Sequence, residues 1–320
     1  MKEYVGVFAG LLTDFVAFKQ LQGYKYDSNA LELHRFSVFS TQFKLKEPIL
    51  AKEIVEAWNT WRPYEGLRNK RRRADVLRQF ARYLCTLGHD AYIAPPDNSK
   101  SHYTFTPYIF THSELERIFA NTDKVWPNQR SNMYLLLPVI IRMLYSCGLR
   151  ISEAVNLQNK HVDLRDGVLL IKNSKFGKDR MVPLSESLLI ICRYYYRNLH
   201  GNSTPDDYFF MNIDRKPVTS DNIYRRFREI LWASGISHGG KGQGPRVHDF
   251  RHTFAVHALK NAVDRQVDLY CALPILSTFL GHASIEATSQ YLRLTAEHFP
   301  DICAALDKTC AYVIPEVVRE

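Results

Sequence analysis

The chain of 320 residues has the length of about two domains, and a hydrophobic share of 46% with 23% charged residues is typical of a globular protein. These values exclude a disordered tail or a mini-protein, and we expect no membrane span because no apolar run approaches ~18 residues. The formal net charge of +9 makes polyanions plausible partners, although charge alone does not establish nucleic-acid binding.

The first hundred residues carry a helical pattern. The opening residues lack the order of a secretory signal, so we expect a cytoplasmic protein. Apolar residues then recur at three- and four-residue spacing, which predicts helices over residues 11–21, 30–43 and 51–61 and a fourth over 71–87. We expect residues 1–90 to form a small helical domain.

The densest basic run lies at the start of the fourth predicted helix. A solvated helix entry is one interpretation of this run, and contact with the phosphates of a nucleic-acid backbone is the other. The candidates for phosphate contact are Arg68, Lys70, Arg71, Arg72, Arg73, Arg78 and Arg82.

Helical periodicity stops over residues 91–105, where paired prolines and small polar residues predict an interdomain linker. The helical pattern resumes over residues 113–121 and 133–145, and two short strands are predicted at 168–171 and 181–184. The second domain is therefore expected to be mainly helical with a small antiparallel sheet.

The first segment with chemical potential places Arg150 at a helix entry after a glycine. Glu153, three residues on, shares its face and could orient its guanidinium toward a phosphate. Lys175 lies on the turn between the two predicted strands, from which a lysine can reach into a site as a proton donor. Taken alone, each is more often structural.

The next segment places His248 and Arg251 three residues apart, so a helix would present them on one cationic face. His252 is adjacent to that face and could support it. Phe250 and His257 point away from it, toward a core. The segment thus predicts a helix with one cationic and one apolar face.

The last segment contains His282 and Tyr291, which an unbroken helix would place on opposite faces. Gly281 can end one helix and Ser284 can cap the next, so the two side chains can converge across a bend. By itself, a tyrosine at this position is more often a packed aromatic residue.

Together these segments supply two arginines, a lysine, two histidines and a tyrosine. They include no cluster of carboxylates for a metal, and the six cysteines contain no Cys-x-x-Cys pair, which argues against a zinc site or a disulfide framework. This set suits phosphoryl transfer without a cofactor, because guanidinium and imidazole groups can stabilise the phosphate charge. A phenol activated by neighbouring cations would be the nucleophile.

The order of these residues resembles that of the tyrosine recombinase (phage integrase) family. The resemblance includes three short sequence motifs, Gly-Leu-Arg-Ile-Ser-Glu, His-Asp-Phe-Arg-His-Thr-Phe-Ala and Leu-Gly-His. The resemblance runs motif by motif from about residue 110 to 291. It implies a mainly α protein with a small antiparallel β-sheet. A helical, SAM-like core-binding domain at 1–90 and a mixed α/β catalytic domain at 106–292 would close on DNA as a C-shaped clamp.

Carried over residue by residue, the resemblance makes Tyr291 the nucleophile that forms a 3′-phosphotyrosyl bond with DNA. Arg150 and Arg251 would grip the non-bridging oxygens of the scissile phosphate. His248 would act as acid and base, and His282 would hydrogen-bond the phosphate.

The proton donor to the leaving 5′-oxygen would be Lys175, with Lys178 as its competitor and Glu153 in a supporting role. The resemblance implies no metal or ATP. The expected partners are double-stranded DNA, further copies of the chain in a tetramer and accessory recombination factors. Residues 293–320 form a tail that could dock on a neighbouring protomer.

The sequences of these motifs are most similar to those of integrases and transposases of bacterial mobile elements. This similarity implies a nucleoid-associated protein that acts in integration, excision or transposition. A Xer-type resolvase, a type IB topoisomerase and a DNA-binding regulator without catalysis are the alternatives. One departure is the stretch between Arg251 and His282, including residues 261–276, which is longer than the usual spacing and could alter a protomer contact.

Overall fold

The computed structural model of the chain divides into two compact units, Met1–Phe105 and Thr106–Glu320. Each unit has a hydrophobic core of its own. Within the part of the chain that the structure describes, no helix is long and apolar enough to cross a membrane. The described residues are 3–97, 106–127, 129–172, 179–240, 244–282, 284 and 286–299.

The N-terminal unit is helical, as the apolar spacing predicts. Its helices meet in an aromatic core, in which the ring centroids of Phe15 and Phe80 lie 5.5 Å apart and those of Phe36 and Trp58 lie 5.3 Å apart. The α-helices of its described part are α1 (Ala9–Leu21), α2 (Asp27–Ser40), α3 (Lys52–Asn59) and α4 (Leu67–Thr86).

The long helix α4 buries Leu77, Phe80 and Leu84, the face that the sequence predicts to be apolar. The helical spacing predicts that Leu87 continues this face, but the helix ends at Thr86 and the Leu87 side chain is 50% exposed. The end of the helix therefore leaves Leu87 outside the buried apolar face.

Part of the predicted linker packs on the N-terminal unit. Ala91 forms a β-bridge with Leu50, and the Arg78 side chain donates hydrogen bonds to the carbonyl oxygens of Ala94 and Pro95. Residues 91–97 are thus held against α4, while 98–105 lie outside the described residues.

The C-terminal unit contains further helices and a small sheet. Its described helices are α5 (His112–Asp123), α6 (Met133–Ser146), α7 (Ile151–Val155), α8 (Glu186–Leu199), α9 (Ser220–Ala233), α10 (Asp249–Asp264), α11 (Leu269–Leu280) and α12 (Glu286–His298). Its described strands are β1 (Val162–Asp163), β2 (Val168–Ile171) and β3 (Arg180–Pro183).

The strands form an antiparallel sheet in the order β1-β2-β3, in which Leu169 lies opposite Val182. Both side chains are buried, which fixes the register because a slip by one residue would expose them. The sequence predicted β2 correctly and placed β3 one residue too late. It missed β1, whose two residues are too few to show an alternating pattern.

Helix α10 is the centre of the C-terminal unit. It contacts α6, α11 and α12, and its residues from Asp249 to Val256 are buried except for Phe254. The predicted core position of His257 also holds, since this side chain is 5% exposed. Because three helices meet on α10, side chains from distant parts of the sequence converge along it.

Candidate active site

Arg251, on the first turn of α10, is the buried centre of the candidate site and is 1% exposed. Its Nη1 donates to the carbonyl oxygen of Gly148 at 2.7 Å, and its Nη2 donates to that of Leu280 at 2.6 Å. These carbonyls lie where α6 and α11 end, so the guanidinium satisfies backbone acceptors that helix termini leave unpaired. Burial and the nearby Arg150 lower the pKa of Arg251 to about 10, and it stays charged at neutral pH.

Arg150 lies immediately before α7 and is held by Glu153. Its backbone N–H donates to Glu153 Oε2 at 2.9 Å, and its Nη1 donates to Oε1 at 2.7 Å. The Arg150 side chain is 20% exposed, whereas that of Glu153 is 6% exposed. The glutamate therefore orients an arginine that solvent, or a ligand, can reach.

A second arginine pairs with the same carboxylate. Arg180, the first residue of β3, donates to both Glu153 oxygens at 3.0 and 2.7 Å. Burial alone would raise the pKa of Glu153, but the hydrogen bonds and charges of Arg180 and Arg150 outweigh it and lower the pKa to about 2. Glu153 thus remains a carboxylate between two guanidinium groups.

The sequence analysis assigned Arg180 no role in the site. Its alternation with Val182 in a two-residue period could have placed it on the inward face of β3, since both side chains are buried. Burial of a charged residue in a strand requires a partner, and Glu153 supplies it.

Two histidines of one helix face lie next to the arginines. His248 precedes α10, and the ring centroids of His248 and His252 lie 4.8 Å apart. Burial, reinforced by the charges of Arg251 and Arg150, lowers the pKa of His248 to about 4. Burial and His248 lower the pKa of His252 to about 3, so both imidazoles are neutral at pH 7.

Tyr291 lies in α12 and is 1% exposed. Its hydroxyl oxygen is 3.0 Å from His252 Nδ1. Burial raises the pKa of the phenol, while the charges of Arg251 and Arg150 and a hydrogen bond from Arg251 act in the opposite direction. The hydroxyl therefore belongs to the cluster of cations and imidazoles, although it is closed to solvent.

His282 reaches the same place from the other side of a bend. Helix α11 ends at Leu280, Gly281 adopts a φ of +66°, and α12 begins at Glu286. His282 Nδ1 lies 2.7 Å from the hydroxyl of Thr288, and its ring is nearly parallel to that of Tyr291 at a centroid distance of 6.1 Å. The bend thus brings both side chains together.

Two predicted site residues, Lys175 and Lys178, lie outside the described residues. The structure brings the other five predicted catalytic side chains, with Glu153, into one region around the start of α10. Thr288, which no sequence signal singled out, contributes the partner of His282.

The basic residues of α4 fall into two groups. Arg68, Arg72 and Arg82 are exposed, and Lys70 is half-buried with its Nζ 5.0 Å from the centre of the Trp61 ring. All four are positioned on the outside of the N-terminal unit.

The remaining α4 candidates have partners inside the unit. Arg71 pairs with Asp97 at 3.5 Å, and Arg78 binds backbone carbonyls. The prediction was wrong for Arg73, which is 2% exposed and donates from Nε and Nη2 to Glu65 at 3.0 and 2.7 Å. A guanidinium buried in this way supports the fold and is not available to a phosphate.

No group of three or more His, Cys, Asp and Glu side chains that could hold a metal ion occurs among the residues with described positions. Among the described residues, the centre of the site consists of arginines, histidines and the carboxylate of Glu153. Such a cluster can bind an anion and stabilise negative charge that develops on it.

Comparison with known proteins agrees with this chemistry. Residues 109–298 match the phage integrase family. A protein of Sinorhizobium fredii named as an integrase/recombinase, y4rE, is 28% identical over 287 residues, which cover 87% of this chain and 89% of that protein. The tyrosine recombinase XerC of Staphylococcus saprophyticus is 26% identical over 289 residues, with 87% and 89% covered.

Among solved structures, a lambda integrase dimer bound to a COC' core site superposes with a TM-score of 0.63 at 19% identity. The similarity covers 88% of this chain and 94% of that one, and it shows a shared fold. Since the family match covers more than half of the sequence, the chain belongs to the phage integrase family, the tyrosine recombinases.

Proposed function

We propose that this tyrosine recombinase cuts and rejoins double-stranded DNA through a covalent bond between Tyr291 and a 3′-phosphate. The position of the phenol carries the proposal: its oxygen is 3.0 Å from His252, beside the His282 ring and in the field of Arg251 and Arg150. Fixed cations around a phenol favour the phenolate and also neutralise the phosphate that it attacks.

In the proposed cleavage step, the Tyr291 oxygen bonds to the scissile phosphorus while the bond from phosphorus to the 5′-oxygen breaks. Arg150 and Arg251 stabilise the charge on the non-bridging oxygens, and His282 donates a hydrogen bond to one of them. The pairing of Arg150 with Glu153 supports this role, because it holds the guanidinium at a partly exposed position.

The protons move between side chains of the chain. His248, whose low pKa keeps it neutral at pH 7, takes the phenol proton, and Lys175 supplies a proton to the leaving 5′-oxygen. A 5′-hydroxyl then attacks the phosphotyrosine, which restores a phosphodiester and releases the phenol. Each step exchanges one ester for another, so we propose that the reaction needs no ATP and no divalent cation.

The burial of Tyr291 implies that the site opens before it reacts. A phosphate cannot approach a hydroxyl on a side chain that is 1% exposed, so we propose that DNA binding shifts α12 relative to α10. The hydrogen bond to His252 is then exchanged for contact with the phosphate.

Double-stranded DNA is the proposed partner, a choice that the lambda integrase dimer bound to a COC' core site supports, and we propose a tetramer on paired DNA sites. The sequences of the motifs support a role in moving a mobile element in a bacterial cell. Resolution of DNA by a Xer-type reaction is the second candidate, supported by the similarity to XerC, which covers 87% of this chain and 89% of that protein.

The test is formation of a covalent adduct. The purified chain is incubated with nicked duplexes built from the DNA that flanks its gene, in EDTA, and the adduct is detected by denaturing electrophoresis. We expect an adduct with the native chain and none with Tyr291→Phe, while DNA binding is retained. An adduct that requires Mg²⁺, or that persists in Tyr291→Phe, would overturn the proposal.

Tyr145→Phe is the matched control, because Tyr145 also contacts a histidine, His257, with 2.9 Å between hydroxyl and Nδ1. This variant should form the adduct at the native level. An assay with two DNA substrates separates recombination from topoisomerase activity, since only recombination yields junctions that join the two.

A further inference from the structure

Arg180 connects separate parts of the candidate site. Its Nη1 and Nη2 donate to the two oxygens of Glu153, and its Nε donates to the carbonyl oxygen of Phe279 at 2.9 Å. The side chain is 6% exposed and projects from the first residue of β3. One guanidinium therefore joins the sheet, the start of α7 and the end of α11.

Each contact leads to a group of the proposed reaction. Glu153 also binds Arg150 through both its backbone and its side chain. Phe279 precedes His282 by three residues, at the point where α11 ends. The position of Arg180 is therefore linked to both a phosphate-binding arginine and a phosphate-binding histidine, although Arg180 itself is buried behind them.

The surroundings require an arginine. A Cβ added to Gly281 would lie 3.1 Å from Arg180 Cδ and 3.1 Å from its Nη1, so the backbone passes directly over the guanidinium. Only a planar fork can donate to two carboxylate oxygens and also to a carbonyl from its Nε. Lysine would preserve the charge but lose this geometry.

We propose that Arg180 is a positioning residue for strand cleavage, which aims Arg150 through Glu153 and fixes the His282 segment through Phe279. The proposal rests on the proposed function. Without Arg180, the buried Glu153 carboxylate would keep Arg150 as its only paired cation. The Arg150 guanidinium would then be drawn toward Glu153 and away from the phosphate.

The charged groups that face Glu153 come from several elements. Arg150 lies at the start of α7, Arg180 in β3, and His248 and Arg251 at the start of α10. Neither His248 nor Arg251 is hydrogen-bonded to the carboxylate among the described contacts, so neither can replace the fork of Arg180.

The experiment compares Arg180→Gln and Arg180→Lys with the native chain on nicked duplex DNA. We expect the rate of adduct formation to fall by about 100-fold, as for a displaced catalytic group, while the dissociation constant for DNA changes less than about 3-fold. Arg180→Lys should restore little of the adduct rate, because lysine keeps the positive charge but lacks the planar fork that binds Glu153 and Phe279. Arg142→Gln, which breaks another arginine–carboxylate fork at Asp123, should keep the native rate.

A second substrate separates positioning from a loss of folded protein. The scissile phosphate is replaced by a methylphosphonate, which lacks one of the charged oxygens that Arg150 would neutralise. The variants should lose less rate on this substrate than on the phosphodiester. The ratio of the two rates is independent of the folded fraction, because both are measured on one preparation.

A ratio equal to that of the native chain, or a native rate in Arg180→Gln, would overturn the proposal. Loss of adduct on both substrates in variants that still bind DNA would also overturn it, since misdirection of Arg150 should spare the neutral substrate. Absence of an adduct with the native chain would instead refute the proposed function.

Discussion

His252 and Tyr291 meet in a contact of 3.0 Å between imidazole Nδ1 and phenol oxygen, and the two side chains are 9% and 1% exposed. The low pKa of His252, about 3, keeps its ring neutral at pH 7. In the tautomer that carries its proton on Nε2, Nδ1 accepts the hydrogen of the phenol. The structure thus places a buried acceptor directly on the hydroxyl of the proposed nucleophile.

We expect His252→Phe, which preserves a ring but removes the acceptor, to slow adduct formation by about 100-fold, because the phenol loses the contact that positions it and a displaced reacting group can cost that much. The rate is measured with nicked duplex DNA at saturating concentration, so that any change in binding is excluded. His257→Phe removes a similar tyrosine–histidine contact at Tyr145 and should leave the rate unchanged. Equal rates for His252→Phe and the native chain would show that this contact has no role in catalysis.

The buried histidines should make the C-terminal unit sensitive to acid. Burial lowers the pKa of His257 to about 4, with His112 and His298 adding to the effect, and His248 and His252 are shifted in the same direction. Between pH 4 and the ordinary value of 6.5, the unfolded chain binds more protons than the folded one. Stability is therefore complete above about pH 6.5 and is lost as the pH falls toward 4.

Each such histidine contributes up to about 1.4 kcal/mol per pH unit to the slope of the unfolding free energy. Urea unfolding between pH 5 and 7, followed by far-UV circular dichroism, measures that slope. His257→Phe should reduce it by the share of one histidine. An unchanged slope in this variant would contradict the low pKa of His257.

Local patterns predicted much of the site. The three-residue spacing of His248 and Arg251 determines their common face, and Gly281 indicates the bend that lets His282 approach Tyr291. The burial of the phenol has no such local signal. It depends on how α12 packs on α10, two helices joined only through α11 and the bend that follows it.

The error at Arg73 has a different cause. Its position in a dense basic run favoured phosphate contact, yet Arg73 lies seven residues before Phe80 and three before Val76, in phase with the buried face of α4. Helical phase could therefore have separated Arg73 from its neighbour Arg72. The partner, Glu65, lies just before the helix and could not be identified from spacing alone.

Arg72 and Arg73 provide a matched pair of adjacent substitutions. Arg73→Met removes the buried partner of the half-buried Glu65 carboxylate and should destabilise the N-terminal unit by about 1–3 kcal/mol, the range for leaving a polar group without its hydrogen bonds. Arg72→Met should leave stability unchanged, because this side chain is exposed. If Arg72 binds a phosphate, its loss weakens DNA binding and reduces the salt slope by about one.

Thermal unfolding and a salt titration of DNA binding measure the two effects. A stable Arg73→Met would show that the ion pair is dispensable. Destabilisation by Arg72→Met would mean that the two arginines are not divided between fold and surface. An Arg72→Met protein with the native salt slope would remove Arg72 from the DNA-contact candidates.

Position 148 requires a glycine because of its backbone conformation and because of the side chains packed against it. It adopts a φ of +56°, and an added Cβ would lie 2.8 Å from Leu280 Cδ2 and 2.8 Å from Phe254 Cδ1. Its carbonyl oxygen accepts the hydrogen bond from Arg251. We expect Gly148→Ala to destabilise the C-terminal unit by roughly 2–4 kcal/mol, from the left-handed backbone and the overpacking together.

Gly201→Ala is the control, because an added Cβ there meets nothing within 4 Å. Thermal unfolding should separate the two variants. At a temperature where Gly148→Ala remains folded, its adduct rate should still be reduced, because the strain acts on the carbonyl that holds Arg251. A destabilised variant with the native rate would show that Arg251 keeps its place through Leu280 alone.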